Sequence, residues 1–178
     1  TAEERIRRIE QHMKSQLEDW DKKPYVDALM AFRGFKTVAA MTIISELGDL
    51  SRFPHPRKLM GYLGVVSQEE SSGSKRRQGS ITTCGNGHAR WMLIECATHY
   101  QHEARVSEAL SRRQTGQSRE IKAISWRAQN RLCYRFRRLA VRRLHRNKVV
   151  VAVARELTAF IWEMHHQVTK EIEMKSTP

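Results

Sequence analysis

The segment from Gly61 to Arg90 concentrates hydroxyls, glycines and cations immediately before a helical pattern. Its glycines free the backbone to approach a ligand closely, and Asn86 is of a type that caps a helix N-terminus. A hydroxyl-rich loop, a cation cluster and a helix N-terminus together suit a phosphate. The residues that would form such a site are Ser71, Ser72, Gly73, Ser74, Lys75, Arg76, Arg77, Asn86 and Arg90.

A serine in this loop could also cut a phosphodiester. Serine is a weak nucleophile until its proton is removed, and attack on a phosphate requires the extra negative charge to be neutralised. Glu69 and Glu70 either accept the proton or are solvated charges. The chemistry alone does not separate Ser71, Ser72 and Ser74, and a plain flexible loop, which we expect to be mobile, is the default interpretation. The local candidates for charge neutralisation are Lys75, Arg76, Arg77 and Arg90.

Several motifs, in their order and spacing, resemble the C-terminal domain of the one-ten family of bacterial insertion-sequence transposases, whose members are guided by a bridge RNA. The resemblance covers roughly residues 28 to 165. Its elements are Arg33-Gly34-Phe35, Glu46-Leu47-Gly48-Asp49 with Arg52-Phe53, Gly61-Tyr62-Leu63-Gly64-Val65, Ser72-Gly73, Gly85-Asn86, Arg90, Ala128-Gln129-Asn130-Arg131-Leu132 and the run from Ala152 to Trp162.

This resemblance implies that the serine directly before the glycine, Ser72, is the nucleophile that joins covalently to DNA. The chain departs from the family in two ways. Lys36 replaces the second glycine of the usual Pro-Gly-Ile-Gly. Nothing resembles the N-terminal RuvC-like nuclease domain with its four metal-binding acidic residues.

We therefore expect the chain to be a C-terminal piece of a longer protein. Mg²⁺ is expected in the absent N-terminal domain, and no cofactor is expected within these residues. The piece alone should bind nucleic acid but cut it poorly. The resemblance also implies a guide RNA and a homo-oligomer for the full-length protein.

The charge balance predicts a polyanionic partner, because the net charge is +13 and the isoelectric point is near 10.2. Thirteen Lys and Arg and a single acid, Glu120, fall between Arg112 and Lys148. Three cysteines favour a reduced cytosolic setting, and no apolar run is long enough to span a membrane. We expect a bacterial cytoplasmic protein at the nucleoid.

Six arginines in this basic stretch are spaced by steps of four, four, three, four and four residues. On one helix they would fall within an arc of roughly 100°, opposite an apolar face that includes Ala140 and Leu144. The spacing predicts a face that binds phosphate backbone without reading sequence. The six are Arg127, Arg131, Arg135, Arg138, Arg142 and Arg146.

The apolar periodicity predicts a mainly α fold with a small β-hairpin carrying the serine loop, whose strands would form from the β-leaning residues 65–67 and 80–83. Predicted helices cover residues 3–22, two short segments within 25–47, 87–112, 119–146 and 149–166, with a short break at 147–148. Gly48 is a candidate stop for the second short helix, whose predicted buried residues are Ala40, Ile43, Ile44 and Leu47. The predicted face of the last helix is Val150, Val153, Ala154, Leu157, Ile161 and Met164. The first has a coiled-coil-like seam, or packs on its own domain. The pair around Arg33-Gly34 is helix-hairpin-helix-like, and its turn either packs internally or uses Lys36 to touch a phosphate. The predicted organisation is a linker helix over 1–23, a transposase domain over 24–168 and a polar, fraying tail over 169–178.

Metal binding is not expected. His88 and His99 would lie about 16 Å apart along a helix, which bonds of ~2 Å to zinc cannot span, and Cys96 belongs to an apolar stripe. The acids Glu46 and Glu156, with Asp49, are interpreted as structural.

Two functions stay open. The first is the DNA-binding and strand-joining domain of an insertion-sequence transposase, with Ser72 as nucleophile. The alternative is a non-catalytic module that binds DNA or guide RNA. A coiled-coil assembly platform built on residues 3–22 is a third interpretation.

Overall fold

The computed structural model describes the backbone of residues 1–72 and 75–177, and the side chains of these residues apart from 69–78. The described part is mainly helical, as predicted, and carries one two-stranded antiparallel sheet. Its elements are α1 (Ala2–Glu18), α2 (Lys23–Met30), α3 (Thr37–Leu47), a 3-10 turn (Leu50–Arg52), α4 (Pro56–Tyr62), β1 (Ser67–Ser72), β2 (Lys75–Ile81), α5 (Gly87–Ala97), a 3-10 turn (Thr98–Gln101), α6 (Glu108–Arg113), α7 (Arg119–Val141) and α8 (Arg146–Ser176).

Helix α8 is the centre of the core, and α2, α4, α5 and α7 pack around it. The face predicted from its apolar spacing is buried: Val150, Val153, Ala154, Leu157, Ile161 and Met164. The predicted fraying after Thr169 is wrong, because α8 continues as a helix to Ser176.

The two helices around the Arg33-Gly34 turn form as predicted, and α3 ends at Gly48, whose φ is 63°. The turn packs inward. Phe32 and Phe35 are fully buried, and a Cβ on Gly34 would lie 2.6 Å from the carbonyl oxygen of Cys96. This contact requires a glycine and joins the turn to α5.

The predicted helix over 87–112 is wrong in its length. Helix α5 ends at Ala97, and a second helix, α6, begins after Ser107, whose hydroxyl accepts from the amide of Leu110. Between them Tyr100 is fully buried and donates to the carbonyl oxygen of Arg33 at 3.0 Å. This tertiary bond holds the intervening chain against the α2–α3 turn.

The predicted helix over 119–146 is also divided. Helix α7 ends at Val141, the backbone turns through Arg143 at a left-handed φ of 54°, and α8 begins after His145. The imidazole of His145 accepts from the amide of Asn147, so the expected break at residues 147–148 is a helix start.

Helix α1 forms as predicted and docks through Leu17, which is buried. Ile6 and Ile9, two residues of the predicted coiled-coil seam, are 56% exposed. The first half of the seam is therefore exposed, whereas Trp20, a further residue of that seam, packs against the core of this chain.

Candidate nucleic-acid site

The serine loop is carried by the predicted hairpin, whose strands are longer than expected. Strand β1 pairs with β2 in an antiparallel register that sets Ser72 opposite Lys75 and Ser71 opposite Arg76. Gly73 and Ser74 lie outside the described residues, as do the side chains of Ser72, Lys75, Arg76 and Arg77. The backbone thus places the predicted nucleophile at the last position of β1.

Two left-handed glycines fix the base of this hairpin, which we call the root. A Cβ on Gly64 would lie 2.2 Å from the carbonyl oxygen of Cys84, and one on Gly85 would lie 1.8 Å from that of Tyr62. The two backbone segments touch directly, since the amide of Asn86 donates to Tyr62 O at 3.3 Å and that of Thr83 donates to Gly64 O at 3.3 Å. No other residue type fits at these two glycines.

Arg90 belongs to the root of the hairpin. Its Nη1 donates to the carbonyl oxygens of Leu63, at 3.0 Å, and Cys84, at 3.2 Å. The guanidinium therefore ties the end of α4 to the segment that follows β2. The sequence did not indicate this positioning role, and the role of Arg90 in neutralising charge at the serine stays a prediction.

Asn86 caps α5 as predicted, because its Oδ1 accepts from the amide of Ala89 at 2.9 Å. Its Nδ2 also donates to Glu46 Oε2 at 2.7 Å, while Glu46 Oε1 lies 2.7 Å from His88 Nδ1. These bonds, first from Asn86 and then from His88, hold the pKa of Glu46 below its usual value. Sequence spacing did not reveal this cluster, because Glu46 lies on α3, forty residues before its partners.

The hairpin separates the root from Ser72. At ~3.3 Å per residue, the six-residue β1 extends for roughly 17 Å along its length. Asn86 and Arg90 hold the hairpin at one end, whereas Ser72 lies at the other. The structure thus divides the predicted phosphate site into a fixed base and a distal serine end.

Lys36 is the exposed N-cap residue of α3. It lies beside a groove of about 950 Å³ between α3, α5 and the loop before α6. The groove is lined by more cations than acids, and burial together with the neighbouring positive charges lowers the pKa of His99. The charged and ionisable lining residues are Arg33, Lys36, His99, His102, Arg105 and Arg113, with Glu10, Glu95 and Glu103.

Two of these cations are structural. Arg33 donates to the carbonyl oxygens of His102 and Arg105, and Arg113 donates to that of Met30. Lys36 is left with no hydrogen bond or ion pair from its ammonium in the part of the chain that the structure describes. Lys36 and the exposed Arg105, whose guanidinium also forms no hydrogen bond or ion pair within the described residues, are therefore the cations of this groove that are free for a phosphate.

The predicted six-arginine face does not exist as one free surface. Arg142 is the C-cap of α7 and Arg146 is the first residue of α8. Three others pair with acids of α8: Arg131 Nε lies 2.8 Å and Arg135 Nε 3.1 Å from Glu156, and Arg127 Nη2 lies 2.5 Å from Glu163. Arg138 alone of the stripe on α7 forms no ion pair within the described residues. The face expected to be apolar is also narrower than predicted, since Ala140 and Leu144 are exposed.

Within the described residues, no group of three or more His, Cys, Asp and Glu side chains could hold a metal ion. Cys96 is buried, as its place in the apolar stripe predicts, and burial raises the pKa of its thiol to about 12. No helix among the described residues is long and apolar enough to cross a bilayer.

The described residues form a mainly helical fold in a strongly basic chain, and comparison with known proteins gives its family. Residues 26–112 match the model of the Transposase IS116/IS110/IS902 family. These residues belong to that family of insertion-sequence transposases.

Two relatives extend the match. The protein y4qE of Sinorhizobium fredii (strain NBRC 101917 / NGR234), whose name places it among transposases, is 41% identical over 143 residues, covering 80% of this chain and 37% of the relative. The transposase for insertion sequence element IS1328 of Yersinia enterocolitica is 28% identical over 97 residues, covering 54% of this chain and 28% of the relative. The chain thus spans well under half the length of these relatives.

Proposed function

We propose that this domain binds DNA and joins DNA strands within an insertion-sequence transposase, with Ser72 as the nucleophile. The observation that carries the proposal is the hairpin register, which sets Ser72 at the end of β1 opposite Lys75. The family match supports DNA as the substrate. The glycine contacts and the Arg90 bonds at the root support a hairpin held in one orientation.

In the proposed reaction, the hydroxyl oxygen of Ser72 attacks the phosphorus of a phosphodiester. A serine–phosphate bond forms as the bond from phosphorus to one deoxyribose oxygen breaks, and the serine proton passes to that leaving oxygen. A deoxyribose hydroxyl then attacks the same phosphorus and restores the serine. The number of phosphate ester bonds is unchanged in each of the two steps, so no nucleoside triphosphate is consumed.

Cations supply the charge stabilisation that such an attack needs. Lys75, Arg76 and Arg77 follow the serine end of the hairpin in sequence, and the proposal assigns them to the attacked phosphate. Lys36, beside its groove, is assigned to the DNA backbone away from the reaction. For the whole protein we propose a guide RNA and a second copy as further partners.

Strand joining by the full-length protein tests the proposal. Ser72→Ala should abolish joining, to below one part in about a thousand of wild type, because the nucleophile of a covalent mechanism is lost. Ser71→Ala is the matched control, one residue earlier in the same strand, and should keep joining within about three-fold. DNA binding should stay within two-fold for both variants, since neither removes a charge.

A different outcome would favour the non-catalytic module. If Ser72→Ala joins strands as well as wild type while Lys36→Gln weakens DNA binding, the domain contributes binding alone. Joining lost in Ser71→Ala but retained in Ser72→Ala would keep the covalent mechanism and move the nucleophile by one residue.

A further inference from the structure

An exposed ridge on α7 combines aromatic rings with cations. Its residues follow one another at four-residue steps, so each is turned by about 40° from the one before and all lie on the outer side of the helix. We call this the 122–138 ridge. Its members are Lys122, Trp126, Asn130, Tyr134 and Arg138, and all five are exposed.

The two aromatic rings of the ridge are unusually open for their size. Trp126 is 44% exposed and Tyr134 is 51% exposed. They lie eight residues apart, which is ~12 Å along the helix axis. The guanidinium of Arg138 lies over the Tyr134 ring, 5.6 Å from its centroid, in a cation–π arrangement.

The charges of the ridge are available to a ligand. Within the described residues, neither Lys122 nor Arg138 forms an ion pair, and the ridge contains no carboxylate. The neighbouring arginines of α7 differ, because Arg127 and Arg131 are neutralised by acids of α8. Two unpaired cations of α7 therefore lie on the same ridge as its two exposed aromatic rings.

This combination suits unpaired bases. Every base has a face that can stack on an aromatic ring, and flanking cations hold the connecting phosphates. A duplex keeps its bases stacked on one another, so it could use the cations of the ridge but not the rings.

We propose that the 122–138 ridge binds single-stranded DNA, with bases stacked on Trp126 and Tyr134 and phosphates held by Lys122 and Arg138. DNA is the occupant favoured over RNA because the domain belongs to a transposase family. The choice of DNA rests on the proposed function. The strand that the ridge would hold is one left unpaired while strands are cut and rejoined.

Equilibrium binding by the 178-residue chain tests the ridge without any joining step. The probes are a short fluorescein-labelled oligothymidylate, the matching oligouridylate and a mixed-sequence duplex. Trp126→Ala combined with Tyr134→Ala should weaken oligothymidylate binding about ten-fold or more and leave duplex binding within two-fold. Trp91→Ala is the matched control, because Trp91 is 55% exposed on α5, away from the ridge, and should leave all three affinities unchanged.

Two further variants separate stacking from charge and from loss of structure. Trp126→Phe with Tyr134→Phe keeps the rings and should restore oligothymidylate binding to within about three-fold. Lys122→Gln with Arg138→Gln keeps the rings and removes two charges. It should reduce the steepness of the plot of log K for oligothymidylate binding against the logarithm of salt concentration by about 1.4. Melting curves of each variant should match wild type, since all four side chains are exposed.

Three results would overturn the inference. Unchanged oligothymidylate binding in the double alanine variant would show that the rings are not used. An equal loss for duplex would make the ridge a general phosphate surface. A loss confined to oligouridylate would assign the ridge to RNA. This test is independent of the test of Ser72. The ridge can bind single-stranded DNA even if Ser72→Ala still joins strands, and Ser72→Ala can abolish joining even if the ridge does not bind.

Discussion

Gly85 at the root of the hairpin allows a quantitative test of the structure, through its substitution by alanine. A Cβ at this position would lie 1.8 Å from the backbone oxygen of Tyr62. Because that oxygen belongs to a packed backbone segment, it cannot rotate away as a flexible side chain would. Either the segment after β2 or the end of α4 must move.

The expected cost combines two effects. Gly85 has a φ of +85°, and a residue with a Cβ loses about 1 to 2 kcal/mol in this left-handed region. Separation of the two segments would also break the bond from the Asn86 amide to Tyr62 O and weaken those of Arg90, at about 1 kcal/mol each. We therefore expect Gly85→Ala to lower the free energy of unfolding by about 3 kcal/mol.

Two other glycines are matched controls for the same substitution. Gly116 has a φ of +80° with no atom within 4 Å of a built Cβ, so Gly116→Ala should show only the backbone cost of about 1 to 2 kcal/mol. Gly61 lies in α4, also with no atom within 4 Å and without a left-handed φ, so Gly61→Ala should be stabilising by up to about 1 kcal/mol.

Urea unfolding followed by circular dichroism gives all three values. For a protein of this size a loss of 3 kcal/mol corresponds to a melting temperature lowered by roughly 6 to 12 °C. If Gly85→Ala is no more destabilising than Gly116→Ala, the close approach of Gly85 to Tyr62 is refuted. The hairpin would then not be fixed at its root.

Two further predictions concern α8. Burial, opposed by Asp49 and reinforced by His166 and Lys22, lowers the pKa of His165 to about 4, and its neutral Nε2 accepts from the amide of Leu50. The stabilisation from this neutral imidazole is fully present above the unfolded pKa of 6.5, and up to about 3 kcal/mol of it is lost as the pH falls from 6.5 towards 4. Urea unfolding at several pH values should therefore show a shallower loss of stability for His165→Gln than for wild type. Parallel pH profiles for the two proteins would contradict a buried neutral imidazole. Glu156 accepts hydrogen bonds from Arg131 and forms an ion pair with Arg135, whose Nε lies 3.1 Å away without hydrogen-bond geometry. Glu156→Gln should therefore cost about 1 to 2 kcal/mol without reducing DNA affinity. Glu163→Gln removes one exposed pair with Arg127 and should cost less than about 1 kcal/mol, and equal costs would contradict the double pairing of Glu156.

Features set by local sequence were predicted well. The apolar spacing of α3 and the glycine that ends it are properties of adjacent residues, and the structure confirms both. The buried face of α8 follows from its period in the same way. The hairpin was also predicted, although its strands extend further towards the serine loop than their β-forming residues indicate.

Features that depend on distant partners were missed. The apolar period continues past Ala97, but the bond of Tyr100 to Arg33, sixty-seven residues earlier, holds the chain out of a continuous helix. The free arginine face was wrong for a similar reason, because Glu156 and Glu163 lie on a helix that folds back along α7. A cation count within a segment cannot identify acids that approach from another element.

The same limit applies to the candidate site. The sequence identified Arg90 as a cation near the serine, and it gave no indication that two backbone carbonyls bind this guanidinium. Asn86 was predicted as a cap because capping is local, whereas its bond to Glu46 is not.

The most direct test of the proposed function is a search for the covalent protein–DNA intermediate. The full-length protein would be mixed with its guide and labelled DNA, quenched under denaturing conditions, digested and analysed by mass spectrometry. The proposal predicts a nucleotide adduct on Ser72, absent from Ser72→Ala and present in Ser71→Ala. Strand transfer with no adduct on any serine of the hairpin would contradict a covalent mechanism and leave this domain a binding role.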